Sequence, residues 1–422
     1  MGSSGEAESA EAILPKELKM EVGGKTFVFK EFGIGRIPEG GVVSPGNMET
    51  GSLEEIDRLY NDQSALVSQR FPGMVEVPYA FLAEAQGKVF GDYTKPAGQD
   101  EFKDSDLVIT KAGFNPPAWA KELWQLGKLR RRKKFSLDSK LACIRGLEIK
   151  DGHLVFTVGE GLYSQSFYSN GMEGISLGVS EKERAALIET VSPAELEELE
   201  RLAAELEQKY GEGKTIREAV FSHQSRLPEF GEQVHNNSIG VAGMVLTPDQ
   251  EFIFVRRGGN VSINQGINCT ASGAVEFDEA TLSRHGLPVA LGESMDQETR
   301  SELGFNAGAL LLGSMQERIE LELGLSPADY EIIPVGFIRE LPRGGKPECM
   351  FLIRTKDSTT EVVRKIIHNP NAEKKEIEGS VYAVSAQDTE SLLRTRAKNQ
   401  PIQHKGAVNL ILALEYLRNN RG

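Results

Sequence analysis

From residue 236 onward the sequence alternates between apolar runs typical of β-strands and longer runs with helical spacing. Two strand-like runs, residues 239–246 and 252–257, flank the turn sequence Thr247-Pro-Asp-Gln250, so we predict a β-hairpin here. Three further strand-like runs and a closing helix follow, at residues 332–339, 349–354, 380–384 and 407–417. The sequence therefore predicts an α/β (α+β) fold in which a mixed sheet is flanked by helices.

A second strand-rich region lies upstream, within residues 135–178. Alternating apolar residues at 141–145 and 154–158 flank Asp151-Gly152, a dipeptide typical of tight hairpin turns. We therefore predict at least two antiparallel strands in this region. Beyond it, the capping pattern that begins at Ser192 and the apolar spacing that follows predict an amphipathic helix ending near Gly211.

The length of 422 residues exceeds what one ordinary hydrophobic core supports, so we expect two or three domains. Residues 1–13 are small, acidic and rich in Gly and Ser, which is typical of a flexible tail. The remaining segments are 14–134, an N-terminal α+β module of unknown role; 135–235, the strand-rich module plus amphipathic helix; and 236–422, the α/β domain.

The formal charge of −14 repels nucleic acids and anionic membranes, so we expect neither as a partner. No apolar run is long enough to span a membrane, and the first ten residues lack the features of a signal peptide. The three cysteines are widely spaced and form no CxxC pair, which fits a reducing compartment. We therefore expect a cytoplasmic protein, whose oligomeric state the sequence does not reveal.

Carboxylates are concentrated after the predicted hairpin. The segment Ser272-Gly-Ala-Val-Glu276-Phe-Asp-Glu279 places two of them three residues apart after a glycine turn. Two similar segments follow twenty positions apart, at residues 294–305 and 314–325, and each begins with a capping-box pattern and stops at a glycine. We therefore predict two helices here.

This arrangement resembles the box of the Nudix hydrolase family, roughly G-G-x-x-E-x-G-E, a spacer, and then R-E-U-x-E-E-x-G-U with U apolar. The resemblance runs from about residue 236 to about residue 416 and implies a Nudix-type mixed sheet. It also implies carboxylates that hold Mg²⁺ or Mn²⁺, hard cations that take several oxygen ligands, bridge a diphosphate and activate water. The implied metal ligands are Glu276, Glu279, Glu322, Glu298 and Glu302, with Glu322 and Glu279 in the catalytic roles.

The long spacer, the Arg256-Arg257 element with its following valine and the upstream strand module resemble more narrowly the branch that cleaves UDP-sugars such as UDP-glucose. This resemblance implies a nucleotide-sugar substrate. Arg256 and Arg257 are candidate phosphate-binding residues, because a guanidinium offers a fork of donors to an anion, although an exposed strand end explains them nearly as well. Arg339, on the strand after the box, is a further candidate substrate-binding residue.

The two predicted helices compete for the metal-binding position of the family. The second is followed directly by a loop and a strand, as the family topology requires, but Arg318 and Leu321 replace two of its three glutamates and leave Glu322. The first keeps two of three, Glu298 and Glu302, at i and i+4 on one helix face. All of these glutamates are also compatible with an exposed helix surface.

Two functions therefore remain open. The leading hypothesis is a Nudix-type, metal-dependent hydrolase of a nucleoside diphosphate-linked substrate such as a nucleotide sugar. The alternative is a catalytically degenerate Nudix-fold protein that binds a nucleotide as a sensor or interaction protein. A purely structural assembly protein is a third hypothesis. Metal dependence separates the first two, because only the hydrolase needs Mg²⁺ at the carboxylates.

Overall fold

The computed structural model describes residues 14–33, 53–60, 66–81, 106–110, 113–130, 138–150, 153–257, 266–284, 307–369, 377–395 and 402–420. The first of the two similar segments, with Glu298 and Glu302, lies outside the described residues. So does the tail at residues 1–13.

The described residues contain thirteen strands. They are β1 (Lys16–Val22), β2 (Lys25–Gly33), β3 (Tyr79–Phe81), β4 (Asp106–Thr110), β5 (Lys140–Lys150), β6 (His153–Leu162), β7 (Gly240–Leu246), β8 (Glu251–Arg257), β9 (Gly266–Asn268), β10 (Ala271–Ala274), β11 (Tyr330–Glu340), β12 (Lys346–Thr355) and β13 (Ile377–Ser385).

The same residues contain twelve α-helices. They are α1 (Leu53–Tyr60), α2 (Val67–Arg70), α3 (Ala118–Arg130), α4 (Tyr163–Ser169), α5 (Glu181–Ile188), α6 (Pro193–Tyr210), α7 (Ile216–Gln224), α8 (Glu279–Arg284), α9 (Ala307–Arg318), α10 (Thr359–His368), α11 (Ala386–Leu393) and α12 (His404–Asn419).

Ten strands form one mixed sheet in the order β1-β2-β13-β8-β7-β12-β11-β3, with β9 paired to β8 and β10 paired to β7. The pair β7–β12 is parallel and the other neighbours are antiparallel. All seven residues of β7 are buried, and successive side chains on a strand point to opposite faces, so both faces of the sheet are covered here. The predicted α/β class, a mixed sheet flanked by helices, is confirmed.

The predicted hairpin is present, and its two strands separate away from the turn. β7 and β8 pair directly next to the turn, at Val245 with Ile253 and at Leu246 with Phe252. Farther along, β10 takes the place beside β7 and β9 the place beside β8. The segment that carries the box resemblance therefore enters the middle of the sheet, with Ser272 opposite Ala242 on β7.

Strands from the N-terminal region extend the large sheet on both sides. β2 pairs with β13 at one end, and β3 pairs with β11 at the other. Hydrophobic residues of these strands, including Phe29 and Phe81, join the core of the C-terminal strands. The sheet is therefore built from residues on both sides of the predicted boundary at residue 236.

A smaller sheet has the order β4-β6-β5. The predicted turn at Asp151-Gly152 is flanked by paired strands, with Lys150 opposite His153, which confirms the hairpin. β5 also reaches the large sheet through single bridges, from Cys143 to Ser238 and from Leu141 to Glu276. The small sheet thus holds the backbone at one of the candidate metal ligands.

The amphipathic helix begins and ends as predicted. Ser192 and Glu195 form the capping box at the start of α6, and Gly211 follows its last residue with a positive φ of 111°. Leu199, Leu202 and further apolar residues of α6 pack with α3 and α7 in a second hydrophobic core. No helix in the described part of the chain is long and apolar enough to cross a membrane.

The start predicted for the helix in the second of the two similar segments, residues 314–325, is wrong. α9 begins at Ala307, so Ser314 is a buried residue inside the helix and does not cap it. The preceding apolar residues, among them Leu310 and Leu311, are good helix formers that pack into the main core, and they extend the helix toward its N-terminus. The predicted end is confirmed, because a π-helical turn, Ile319–Leu323, leads to Gly324 in the left-handed conformation.

Candidate functional site

The backbone at Glu276 is held from two sides. The Val275 amide donates to the carbonyl of Ile239, the residue before β7, over 2.9 Å. The Phe277 amide donates to the carbonyl of Lys140, in β5, over 2.9 Å. Strands of both sheets therefore fix the position from which the Glu276 side chain leaves the backbone.

The helix α9 and its π-helical turn pack against β10, so the second of the two similar segments lies beside residues 272–276. Arg318 Nη2 contacts Glu276 Oε1 at 3.0 Å, and the two side chains are 23% and 37% exposed. A Cβ atom at Gly273 would clash with the Nε atom of Arg318, so only a glycine lets this side chain cross the strand. The result is a partly exposed ion pair over β10. The glycine turn predicted at residues 272–273 is wrong, because these residues pair with β7 as a strand.

Glu322 also faces this segment. Its Oε2 atom accepts a hydrogen bond from the Ser272 amide over 3.2 Å. The two residues before it turn elsewhere: Leu321 is 41% exposed, and Glu320 accepts from Gln316 on the exposed side of the helix. The structure therefore places the carboxylate of Glu322 against β10.

The end of the box segment forms the start of a short helix. Asp278 Oδ1 accepts a hydrogen bond from the Thr281 amide over 2.7 Å and caps α8. This capping explains why an aspartate is accommodated where the Nudix pattern has a glycine. Glu279 is the first residue of α8, but its side chain lies outside the described residues, and its predicted catalytic and metal-binding roles stay predictions.

A divalent cation needs more ligands than the described residues bring together. Mg²⁺ and Mn²⁺ take several oxygen ligands, but no group of three His, Cys, Asp or Glu residues in the described part of the chain could hold a metal. The Glu276 carboxylate is engaged by the guanidinium of Arg318. Glu276 and Glu322 alone therefore do not make a seat for Mg²⁺ or Mn²⁺, and the predicted metal site remains a prediction that needs Glu279, Glu298 or Glu302.

Arg339, a predicted substrate-binding residue, is not brought together with Glu276. Arg339 lies on β11, three strands from β10, and its donors bond the carbonyls of Pro228 at 2.6 Å and Gly345 at 3.1 Å. Its guanidinium also lies 4.6 Å from the centre of the Phe230 ring, so Arg339 ties the end of β11 to a loop. Arg256 is exposed on β8, and the side chain of Arg257 lies outside the described residues.

A buried charged cluster next to the site was missed by the sequence analysis. Lys346 and Lys405 contact the two carboxylate oxygens of Glu348 at 2.5 and 2.8 Å, and the three side chains are at most 5% exposed. The cluster packs on Gly240, which lies opposite Glu348 on one side of β7 and opposite Ala274 on the other. It therefore borders the candidate site across one strand.

Burial and mutual attraction act in opposite directions on the pKa values of this cluster. Burial alone would raise the pKa of Glu348, but the ammonium groups of Lys346 and Lys405 outweigh it and lower the pKa to about 2. Burial lowers the pKa of Lys346 to about 8, against the opposite effect of Glu348. One weak signal in the sequence is the pair of opposite charges at residues 346 and 348, which precede the predicted strand at residues 349–354.

Comparisons with known proteins leave the family open. No family model matches the chain, and no curated protein matches it. The solved structures that match include the crystal structure of DR0079 from Deinococcus radiodurans, which is similar over 44% of this chain and 83% of that chain. The sequence identity is 12% and the TM-score is 0.25, which is too weak to support a conclusion about fold or function.

Proposed function

We propose that residues 236–422 form a catalytically degenerate Nudix-type domain that binds the diphosphate group of a nucleotide or nucleotide sugar without hydrolysing it. The observation that supports this function is the ion pair between Arg318 and Glu276 beside β10. Glu276 belongs to the segment that resembles the first half of the Nudix box. Arg318 lies on the helix that resembles the second half.

The ion pair disfavours metal-dependent chemistry. In the family that the sequence resembles, a divalent cation sits among carboxylates and activates water. Arg318 replaces one of those carboxylates and already neutralises Glu276. A guanidinium about 4 Å from a dication costs roughly 2 kcal/mol even at the dielectric constant of bulk water, and more in a partly buried site.

The same ion pair favours binding of a diphosphate. A guanidinium presents planar pairs of donors that match phosphate oxygens, and it takes over the neutralising role of a metal without ordering water. Arg318 is 23% exposed, so a ligand can reach it from solvent. A diphosphate carries more negative charge than the Glu276 carboxylate and therefore competes with it for the guanidinium.

A metal-dependent hydrolase is the second candidate, and the position of Glu322 favours it. This glutamate matches the Nudix motif, and its carboxylate lies against Ser272 in the box segment. A hydrolase of this kind would need further carboxylates from Glu279 or from the helix with Glu298 and Glu302.

An activity and melting experiment separates the two candidates. The purified protein is incubated with Mg²⁺ and nucleoside diphosphate sugars, and UMP and phosphate release is followed beside a Glu322→Gln variant. We expect no release, together with a rise in melting temperature on addition of nucleotide sugar in the presence of EDTA. Release that Glu322→Gln abolishes would contradict the proposal and establish the hydrolase. Absence of both release and a melting shift would exclude both candidates.

A further inference from the structure

Glu276 matches a metal-ligand position of the Nudix motif, but its carboxylate contacts a cation of the protein itself. Its Oε1 atom lies 3.0 Å from Nη2 of Arg318, and the side chains of Glu276 and Arg318 are 37% and 23% exposed. A carboxylate and a phosphate bind a guanidinium through the same N–H donors. In the free protein Glu276 therefore occupies donors that a phosphate would use.

The backbone at Glu276 keeps this carboxylate close to Arg318. The residues before and after it each make a backbone hydrogen bond of 2.9 Å with β5, and Leu141 of β5 forms a β-bridge with Glu276 itself. A group tethered in this way competes with a ligand from solution at a high and constant effective concentration. The competition is therefore present at every ligand concentration.

Arg318 reaches β10 without help from Glu276. Its side chain passes over Gly273, where a Cβ atom would clash with the Nε atom of the arginine. The missing side chain at Gly273 leaves a path for the guanidinium across the strand. Loss of the Glu276 carboxylate should therefore free the guanidinium without removing it from β10.

The ion pair is weak enough to open. A partly exposed pair favours the closed arrangement by up to about fivefold. A ligand that binds only the open arrangement loses affinity in proportion to the fraction of molecules that are closed. Glu276 therefore lowers the affinity of Arg318 for an anion, whereas a metal ligand would raise the affinity for a diphosphate.

On the basis of the function proposed above, we propose that Glu276 is an autoinhibitory residue that occupies the phosphate-binding guanidinium of Arg318 in the free protein. A diphosphate displaces the carboxylate, and the ion pair forms again when the ligand leaves. Glu276 thus sets the ligand concentration at which the site fills. Binding also releases a negatively charged side chain beside β5.

A double-mutant cycle tests this role. Binding of UDP-glucose to the full-length chain is measured by calorimetry, with EDTA present, for the wild type, Glu276→Gln, Arg318→Gln and the double variant. We expect Glu276→Gln to bind about fivefold more tightly than the wild type, because the guanidinium is free. In the Arg318→Gln background the same change should alter the affinity by less than about twofold, because no guanidinium remains to be released.

Glu320→Gln is the matched control. Glu320 is an exposed carboxylate of the same helical segment, and it accepts a hydrogen bond from Gln316 and not from Arg318. Its replacement should leave the affinity within about twofold of the wild type, because an exposed charge away from the ligand is screened by salt. The control separates the release of Arg318 from a general loss of negative charge.

Equal or weaker binding in Glu276→Gln than in the wild type would overturn the inference, because Glu276 would then be inert or would position Arg318. An equal gain with and without Arg318 would overturn it too. Both results leave the proposed function standing, provided that Arg318→Gln weakens binding. Absence of binding in all five proteins at roughly 10 mM UDP-glucose would instead contradict the proposed function, and the role of Glu276 with it.

Discussion

The ion pair of Arg318 with Glu276 and the cluster of Lys346, Glu348 and Lys405 lie on opposite sides of β7 and differ in exposure. The first has side chains 23% and 37% exposed, whereas no side chain of the cluster exceeds 5%. Both combine acidic and basic side chains at similar distances, of 3.0 Å in the pair and 2.5 to 2.8 Å in the cluster.

Exposure decides what each group of charges can do. An exposed ion pair contributes about 0–1 kcal/mol to stability, so its arginine can exchange a carboxylate for a phosphate at little cost. Charges of a buried cluster have lost their hydration and depend on one another, so none can leave without a large penalty. The proposed ligand binding is therefore compatible with the partly exposed pair, whereas the buried cluster contributes to fold stability.

The largest expected effect comes from Glu348→Gln. The change leaves Lys346 and Lys405 buried beside a neutral amide, and we expect a loss of roughly 3–5 kcal/mol in the free energy of unfolding. Urea unfolding measures this loss, with Glu276→Gln as the matched control at about 1 kcal/mol or less. Equal losses in the two variants would remove the distinction between the two regions.

Low pH should abolish much of the stabilisation that the Glu348 carboxylate contributes to the fold. Its pKa is lowered from 4.5 to about 2 in the folded chain, so between these values the unfolded chain binds more protons. The stabilisation, about 3 kcal/mol from this shift, is complete above pH 4.5 and is lost as the pH falls toward 2. We expect the difference in unfolding free energy between the wild type and Glu348→Gln to narrow below pH 4.5. A constant difference would contradict the ion-pair account.

Gly240→Ala adds a methyl group beside the buried cluster, and Gly273→Ala adds the same group beside the ion pair of Arg318 and Glu276. A Cβ atom at Gly240 meets Glu348 and Lys346, which are locked in the buried cluster, so we expect Gly240→Ala to cost roughly 1–3 kcal/mol. A Cβ atom at Gly273 meets the side chain of Arg318, which can move into solvent, so Gly273→Ala should cost less than about 1 kcal/mol. Thermal unfolding measures both, and the reverse order would contradict the comparison.

The smallest effect on stability is expected for Arg318→Gln. It breaks one partly exposed ion pair and should change the free energy of unfolding by about 1 kcal/mol or less. Arg201→Gln is the matched control, because it removes an exposed ion pair with Glu205 on α6. A loss near that of Glu348→Gln would mean that Arg318 holds the fold and is not free to bind a ligand.

Local patterns in the sequence predicted much of the fold. The turn at residues 247–250, the dipeptide Asp151-Gly152 and the capping box at Ser192 each specify a structure over a few residues, and each is confirmed. The pairing of β2 with β13 joins residues far apart in sequence, and periodicity within one strand does not specify its partner. For this reason the sequence analysis did not predict that N-terminal strands join the large sheet, although a strand at residues 25–31 is expected from its pattern.

The candidate site was predicted only in part. The structure places the Ser272–Glu276 segment beside the second of the two similar helices, as its topology suggested. The sequence analysis missed the ion pair of Arg318 with Glu276. In a comparison with the Nudix motif, an arginine at residue 318 indicates only that a metal-binding glutamate is absent. Lys346 and Glu348 were missed because charged residues at the start of a strand are usually exposed, and their burial depends on Lys405 of α12.

We propose that Arg318 binds a diphosphate in place of a metal. Calorimetric titration of UDP-glucose into the wild type, Arg318→Gln and Arg201→Gln, with EDTA present, measures this binding. We predict metal-independent binding by the wild type and Arg201→Gln, weakened by about tenfold or more in Arg318→Gln. Binding that requires Mg²⁺, or that is unchanged in Arg318→Gln, would contradict the claim.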